Sequence, residues 1–385
     1  MLRYALTILF TIFCLATSQA KVICGAERTA EWQALLKGKK VALLTNHTAM
    51  VGKKHIVDIM LAKGVKVVAI IAPEHGFRGK ADAGENVKSS TDSQTGLPIW
   101  SLYSAKSRKL TPEQVAQFDV VVVDIQDVGL RFYTYYISML SVMRSAAEGG
   151  KEVVIFDRPN PNGMYVDGPI LDMKYKSGVG GLPIPVVHGL TMGEIATMAV
   201  GEGWTPKVDV KVVCCKNYTH QTRYTLPIAP SPNLRSMQAI YLYPSVCLFE
   251  GTICSLGRGT ENPFEMYGHP KINSDFSFIP RSVAGAKNPP LLNNVCYGVD
   301  LRKVPHEEII AKGFHLEYII DAYKRMNMGA EFFGPRKRFF HLLTGVDYIY
   351  QMIIEGKSAA EIKAMWQDDV KKFKAQRRKY LLYKE

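Results

Sequence analysis

Val120 to Asp127 reads VVVVDIQD: an unbroken β-branched run that ends abruptly in Asp124, Gln126 and Asp127. A strand apolar on both faces suits the middle of a parallel sheet covered by helices on each side. Three other stretches have the same grammar. VALLTN runs into Asn46 and His47, VVAIIAP into Glu74, His75 and Arg78, and VVIFDRPN into Asp157, Arg158 and Asn160. Helical patterns separate them, near residues 54–63, 112–117 and 132–148. Alternating strands and helices predict an α/β fold with right-handed crossovers. Ligands of such sheets bind beyond the carboxyl ends of the strands, where these polar residues gather. A further strand is expected at residues 182–187. A helix is expected from residue 192, with Thr191 and Glu194 forming a capping box.

The chain has 385 residues, 47% of them hydrophobic and 22% charged. That length suits two domains, and the composition is that of a globular protein. Beyond about Thr205, prolines, glycines and short strands replace the earlier regularity. The expected division is residues 1–20, 21–205 and 206–385. The first piece has Arg3, an apolar run from Ala5 to Ala16, and small residues at Ser18 and Ala20. It reads as a secretory signal cleaved after Ala20, since the run is shorter than the roughly 20 residues a membrane span needs. An exported, periplasmic or secreted protein is the expectation, with no membrane span after cleavage.

Net charge is +13, so anionic partners are favoured. Part of the excess sits at residues 371–384, whose spacing suits a helix with a solvated basic face. No zinc-finger or RNP-type motif points to nucleic acid. Six cysteines follow the signal: Cys24, Cys214, Cys215, Cys247, Cys254 and Cys296. They lack framework or zinc-ribbon spacing and read mostly as small buried hydrophobes. No GxGxxG follows the first strand, and no Walker A, HExxH or GxSxG occurs, so neither a cofactor nor a metal is expected.

Candidate site residues follow from the strand ends. In PEHGFRG, Glu74 directly follows a buried strand, with His75 beside it and Arg78 four residues on. A carboxyl partly withdrawn from water holds its proton toward neutral pH and can act as a general acid. The competing reading pairs Glu74 with Arg78 merely to shape the loop. Asp82, Gly84 and Glu85, in the same loop, either order it or meet substrate. Asp127 and Arg131 stand where a strand turns into a helix. Arg131 either grips a carboxylate with two parallel hydrogen bonds or is structural. Gln126, Tyr133, Arg158, Asn160 and His188 are candidates for binding or for packing. In the second half, Glu250, Arg258 and Glu261 lie among glycines and are candidates for the opposite wall of a cleft.

Taken together, TNHT, APEHGFRG with DAGE, DIQDVGLRFYTY, DRPNPNG, PIPVVHGLTMGE, PSPNL, CLFEGT with GRGT, and YLLY resemble the NamZ-type exo-β-N-acetylmuramidases. The resemblance runs from about Gly38 to Tyr383. It implies a Rossmann-like sheet domain, a smaller second α+β domain, and a cleft between them. It also implies release of N-acetylmuramic acid from the non-reducing end of peptidoglycan fragments, with Glu74 of the EHG motif as catalytic acid/base. On that reading His75 positions Glu74 or shares its proton, and muramyl saccharides are the partners. Asn46, His47, Arg78, Gln126, Arg131, Tyr133, Arg158, Asn160 and His188 would bind substrate, with Arg131 favoured for the lactyl carboxylate. Asp127, Glu250 or Glu261 would be the second carboxylate. A lyase and a non-catalytic sugar-binding protein are the competing expectations.

Overall fold

The computed structural model describes residues 20–74, 76–77, 90–102 and 108–385. Residues 1–19 of the expected signal lie outside them, as do His75, Arg78, Asp82, Gly84 and Glu85.

Seven strands form one sheet: β1 (Lys40–Thr45), β2 (Lys66–Ala72), β3 (Ser90–Thr91), β4 (Pro98–Ser101), β5 (Val120–Asp124), β6 (Glu152–Phe156) and β7 (Val210–Val213). Their order is β3-β4-β2-β1-β5-β6-β7, with every pairing parallel except β3 with β4. Leaving aside the short β3, this is the doubly wound 3-2-1-4-5-6 order. The chain winds outward from β1 to β4, then returns to β5 and winds the other way. The β1–β5 junction is therefore the switch point beside which ligands bind.

The apolar runs explain the layers. Successive side chains on a strand point to opposite faces. Ala42, Leu44, Val121, Val123, Val153 and Ile155 enter one core cluster, and Val41, Leu43, Val120, Val122, Val154 and Phe156 enter another. Helix α1 (Thr29–Leu36) and helix α2 (Ile56–Ala62) cover the second face through Trp32, Leu36, Ile56 and Met60. Helix α3 (Tyr135–Glu148) and helix α4 (Met192–Gly201) cover the first through residues such as Met139, Met143, Ile195 and Met198. Thr191 and Glu194 form the expected capping box at the start of α4.

Two expectations about the sheet's edge change. Residues 182–187 make only isolated bridges, Val187 meeting Leu130 and Asp167. The outer parallel strand is β7 instead, so the sheet extends past the boundary expected at residue 205.

Beyond β7, helix α5 (Met237–Val246) leads into a second lobe. It contains a three-stranded antiparallel sheet, β8 (Met266–His269), β9 (Phe276–Phe278) and β10 (Cys296–Asp300), ordered β8-β10-β9. Helices follow, including α6 (Lys337–Thr344). The segment after them returns to the first lobe. There the Tyr383 hydroxyl donates to Asp157 at 2.6 Å, and the Leu382 N–H donates to Glu194 at 2.8 Å. No helix among the described residues is long and apolar enough to cross a membrane.

Candidate active site

Glu74 stands just past the end of β2. The Gly76 N–H donates to the Pro73 carbonyl at 3.0 Å, with Gly76 at φ +74°, so the chain reverses immediately after the glutamate. A positive φ is cheap only for glycine. Phe77 then plugs back edge-on against the His55 ring, 5.2 Å between centroids. This turn leaves Glu74 half-buried, and the Thr134 hydroxyl, from the segment after β5, donates to its Oε2.

Glu74 faces a cavity of 410 Å³, of a size that suits a small-molecule ligand. One wall is aromatic and comes from Phe132, Tyr133 and Tyr135 after β5, Tyr243 on α5, and Phe264 of the second lobe. These rings pack edge to face, Tyr133 on Tyr135 at 4.8 Å and Tyr243 on Phe264 at 4.9 Å. The Tyr133 and Tyr135 hydroxyls both donate to the Pro230 carbonyl, at 2.9 and 3.1 Å. One carbonyl oxygen has lone pairs for both, so two phenols are satisfied in a buried wall. Ser231 and Asn233 follow Pro230 into the lining.

The second lobe supplies charge. Arg258 donates to Glu250 Oε1 through Nε at 2.9 Å and Nη2 at 2.6 Å, and its guanidinium lies 4.9 Å from the centre of the Phe264 ring. Arg336 donates to the Glu250 backbone carbonyl at 3.3 Å. Glu250, Arg258 and Arg336 also line an adjoining cavity of 370 Å³, together with Asn288 and Pro289. Arg108, from the first lobe, completes the charged lining of the main cavity.

Of the expected site residues, the structure brings Glu74, Tyr133, Glu250 and Arg258 into this cavity. Others are placed elsewhere. Arg131 is fully buried, with Nη1 donating to the Pro169 and Ile184 carbonyls at 2.6 and 3.0 Å and Nη2 to Leu343 and Thr344 at 2.9 and 2.7 Å. Both of its terminal nitrogens are engaged by backbone carbonyls, and the guanidinium does not line the cavity, so it offers no fork to a substrate carboxylate. Arg158 is likewise buried and paired with Asp124, Nε to Oδ1 at 2.5 Å and Nη2 to Oδ2 at 3.1 Å. Glu261, two residues beyond Gly259 at φ +82°, is turned to solvent.

Asn46, Gln126, Asn160 and His188 are buried and hold loops together. Asn46 Oδ1 accepts from Thr48 N–H and hydroxyl. Gln126 Nε2 donates to the Asp127 and Pro159 carbonyls, and Asn160 Nδ2 to the Leu190 carbonyl. His188 accepts from Leu190 N–H, and burial beside Arg377 and Arg131 pushes its pKa down to about 3. His47 bonds through Nε2 to the Ala229 carbonyl, one residue before the carbonyl that serves the two tyrosines. Asp127 Oδ1 accepts from Gly129 N–H at 2.8 Å, and burial raises the carboxyl to about 7. It lies within electrostatic reach of Tyr133 and Tyr135 but is not part of the cavity lining.

Sequence reasoning missed Arg108, Arg336, Ser231, Asn233, Tyr243 and Phe264. The PSPNL motif held the signal for two of them. Nothing local marks a surface arginine such as Arg336.

Comparisons with known proteins agree with this architecture. The sequence model "Exo-beta-N-acetylmuramidase NamZ, N-terminal" matches residues 41–238, and its C-terminal counterpart matches residues 241–383. Peptidoglycan beta-N-acetylmuramidase NamZ of Bacillus subtilis (strain 168) is 35% identical over 372 residues, covering 92% of this chain and 89% of that protein. A DUF1343 family protein of Bacteroides fragilis NCTC 9343, crystallised at 1.30 Å resolution, is 57% identical with a TM-score of 0.89, covering 95% of this chain and 100% of that one. A second from the same organism, at 1.65 Å, is 29% identical with a TM-score of 0.79, covering 94% and 99%. With both family regions matched in order over nearly its whole length, the chain belongs to the exo-β-N-acetylmuramidase NamZ family.

Proposed function

We propose that this protein is an exported glycoside hydrolase that releases N-acetylmuramic acid from the non-reducing end of peptidoglycan fragments, with Glu74 as its general acid. The similarity to a curated peptidoglycan muramidase supports the substrate class. The observation that carries the role of Glu74 is its position. It is the half-buried carboxyl at the end of β2 that faces the aromatic-walled cavity, with one oxygen held by the Thr134 hydroxyl. Ring faces suit the C–H faces of a sugar, and 410 Å³ suits one saccharide unit. Glu74 donates its proton to the glycosidic oxygen as the C1–O bond opens. Water supplies hydroxide to C1 and gives its proton to a carboxylate. Glycosidases of this kind use two carboxyl groups, and Glu250, held by Arg258, is the second one lining this cavity. Arg336 at the cavity mouth is the cation assigned to the lactyl carboxylate, in place of the sequestered Arg131.

The test is mass spectrometry of products from a disaccharide of muramic acid and glucosamine, with wild type and Glu74→Gln. Loss of a general acid costs about 10²–10⁴-fold in rate. A folded E74Q enzyme with undiminished turnover overturns the role of Glu74. A product lighter by one water makes the reaction an elimination, and tight binding without turnover makes the protein a sugar-binding module.

A further inference from the structure

Outside the cavity lining, residues 22–24 run antiparallel to the segment just after β7. Ile23 N–H donates to the Lys216 carbonyl at 3.0 Å, and Lys216 N–H returns a bond to the Ile23 carbonyl at 2.8 Å. This is a hydrogen-bonded pair, so the next pair inward is of the narrow, non-bonded kind, with Cα atoms about 4.5 Å apart and side chains on one face. That next pair is Cys24 opposite Cys215. A disulfide requires Cα atoms about 4.4–6.8 Å apart. Both cysteines are buried, with Cys24 at 4% exposure and Cys215 at 7%. Both are free thiols in this structure. The adjacent Cys214 is half-buried, and successive residues of an extended segment alternate in facing, so the register pairs Cys24 with Cys215 and not with Cys214.

We infer that Cys24 and Cys215 form a disulfide when the protein meets an oxidising compartment, riveting the segment before α1 to the outer edge of the main sheet. The surroundings favour the exchange. Cys24, though buried, belongs to the lining of a surface pocket with Arg158 and Tyr224, whereas the Cys215 thiol donates to the Asp157 carbonyl at 3.2 Å. The Cys215 thiol and the Arg158 charge hold the Cys24 thiol below its ordinary pKa, against the pull of burial, which makes Cys24 the attacking thiolate. The oxidant is a disulfide, either a small one such as oxidised glutathione or that of a thiol–disulfide oxidoreductase. Cys24 attacks one of its sulfurs and expels a thiolate. Cys215 then loses its proton and attacks the Cys24 sulfur of the mixed disulfide, expelling the second thiolate. Two thiols are oxidised and one disulfide is reduced.

The experiment equilibrates purified protein with excess oxidised glutathione. The protein is then acid-quenched, denatured, alkylated and digested with trypsin for mass spectrometry. The expected product links the peptides of residues 22–28 and 212–216 through Cys24 and Cys215, with Cys214, Cys247, Cys254 and Cys296 alkylated. The linkage survives Cys214→Ser and is lost in Cys215→Ser. Full alkylation of Cys24 and Cys215, or linkage through Cys214, overturns the inference. The bond would close a loop of nearly 200 residues, and long loops gain most from closure. Thermal unfolding of the oxidised protein should therefore lie about 5 °C or more above that of the reduced protein. Cys24→Ala/Cys215→Ala should match the reduced protein and ignore reductant. Equal midpoints for oxidised and reduced wild type would overturn the fastening role.

Discussion

Replacing Arg131 with methionine keeps most of the side-chain volume and removes all four of its hydrogen bonds. Those bonds join two parts of the molecule: the Pro169 and Ile184 carbonyls after β6, and the Leu343 and Thr344 carbonyls at the end of α6. The last two are helix-terminal acceptors with no intrahelical donor, where a cation is also favoured by the helix dipole. Among the four, the Ile184 carbonyl keeps a second donor, the Leu171 N–H at 3.2 Å. Three carbonyls are therefore left bare in the interior, at about 1–3 kcal/mol each. Removing the cation's own desolvation cost offsets part of this. Burial already pulls the guanidinium down to about 10 with no carboxylate bonded to it among the described residues. A net loss of about 4 kcal/mol is expected, a large share of the 5–15 kcal/mol a domain commands. Urea denaturation followed by tryptophan fluorescence measures it, and Arg131→Lys should recover part. Under native conditions the KM for a muramide should stay within about twofold, because the guanidinium does not face the cavity. A stability change under about 1 kcal/mol together with a large rise in KM would refute this placement of Arg131 and return it to the substrate.

The Asp124–Arg158 pair predicts a second stability effect: Asp124→Asn leaves a buried guanidinium without its partner and should cost about 3–5 kcal/mol in the same assay, much of it recovered in Asp124→Asn/Arg158→Met. Asp127 predicts a pH dependence. Its carboxyl is raised from 3.8 to about 7 in the folded protein, so it favours folding below about pH 4, and that contribution is lost as the pH climbs toward 7. The contribution is on the order of 4 kcal/mol, and Asp127→Asn should flatten the stability profile over that window; an unchanged slope would count against the burial argument. Arg336→Ala should raise KM for muramic substrates about tenfold or more while leaving a glucosamine glycoside unaffected, and equal effects on both sugars would remove Arg336 from lactyl recognition.

The sheet was legible in the sequence because its signal is local. Runs such as VVVVD carry their own β-propensity and their own end. The position of Glu74 at a strand end was legible for the same reason, since one turn fixes both the strand terminus and the glutamate. Strand β7 escaped because VKVV is four residues long and half-exposed, with no periodicity to separate it from the irregular chain around it. Arg131 was misplaced because its partners at Leu343 and Thr344 lie 212 and 213 residues away. An arginine after a strand looks the same whether it meets a ligand or a distant helix end. Glu261 was misjudged because the positive-φ glycines around Arg258 steer the two side chains apart, and spacing alone does not reveal that.

The return of the tail has a consequence for how the molecule is made. The carboxyl of Asp157 stands buried just beyond the end of β6, yet the phenol that answers it is synthesised 226 residues later. Glu194 waits almost as long for the Leu382 N–H, 188 residues further on. A ribosome that has finished all seven strands has therefore not finished the lobe they belong to. The two halves are consequently not interchangeable modules. A fragment ending where the first family region ends should emerge with an exposed seam, and grafting that half onto another partner would require a substitute for the strap that seals it.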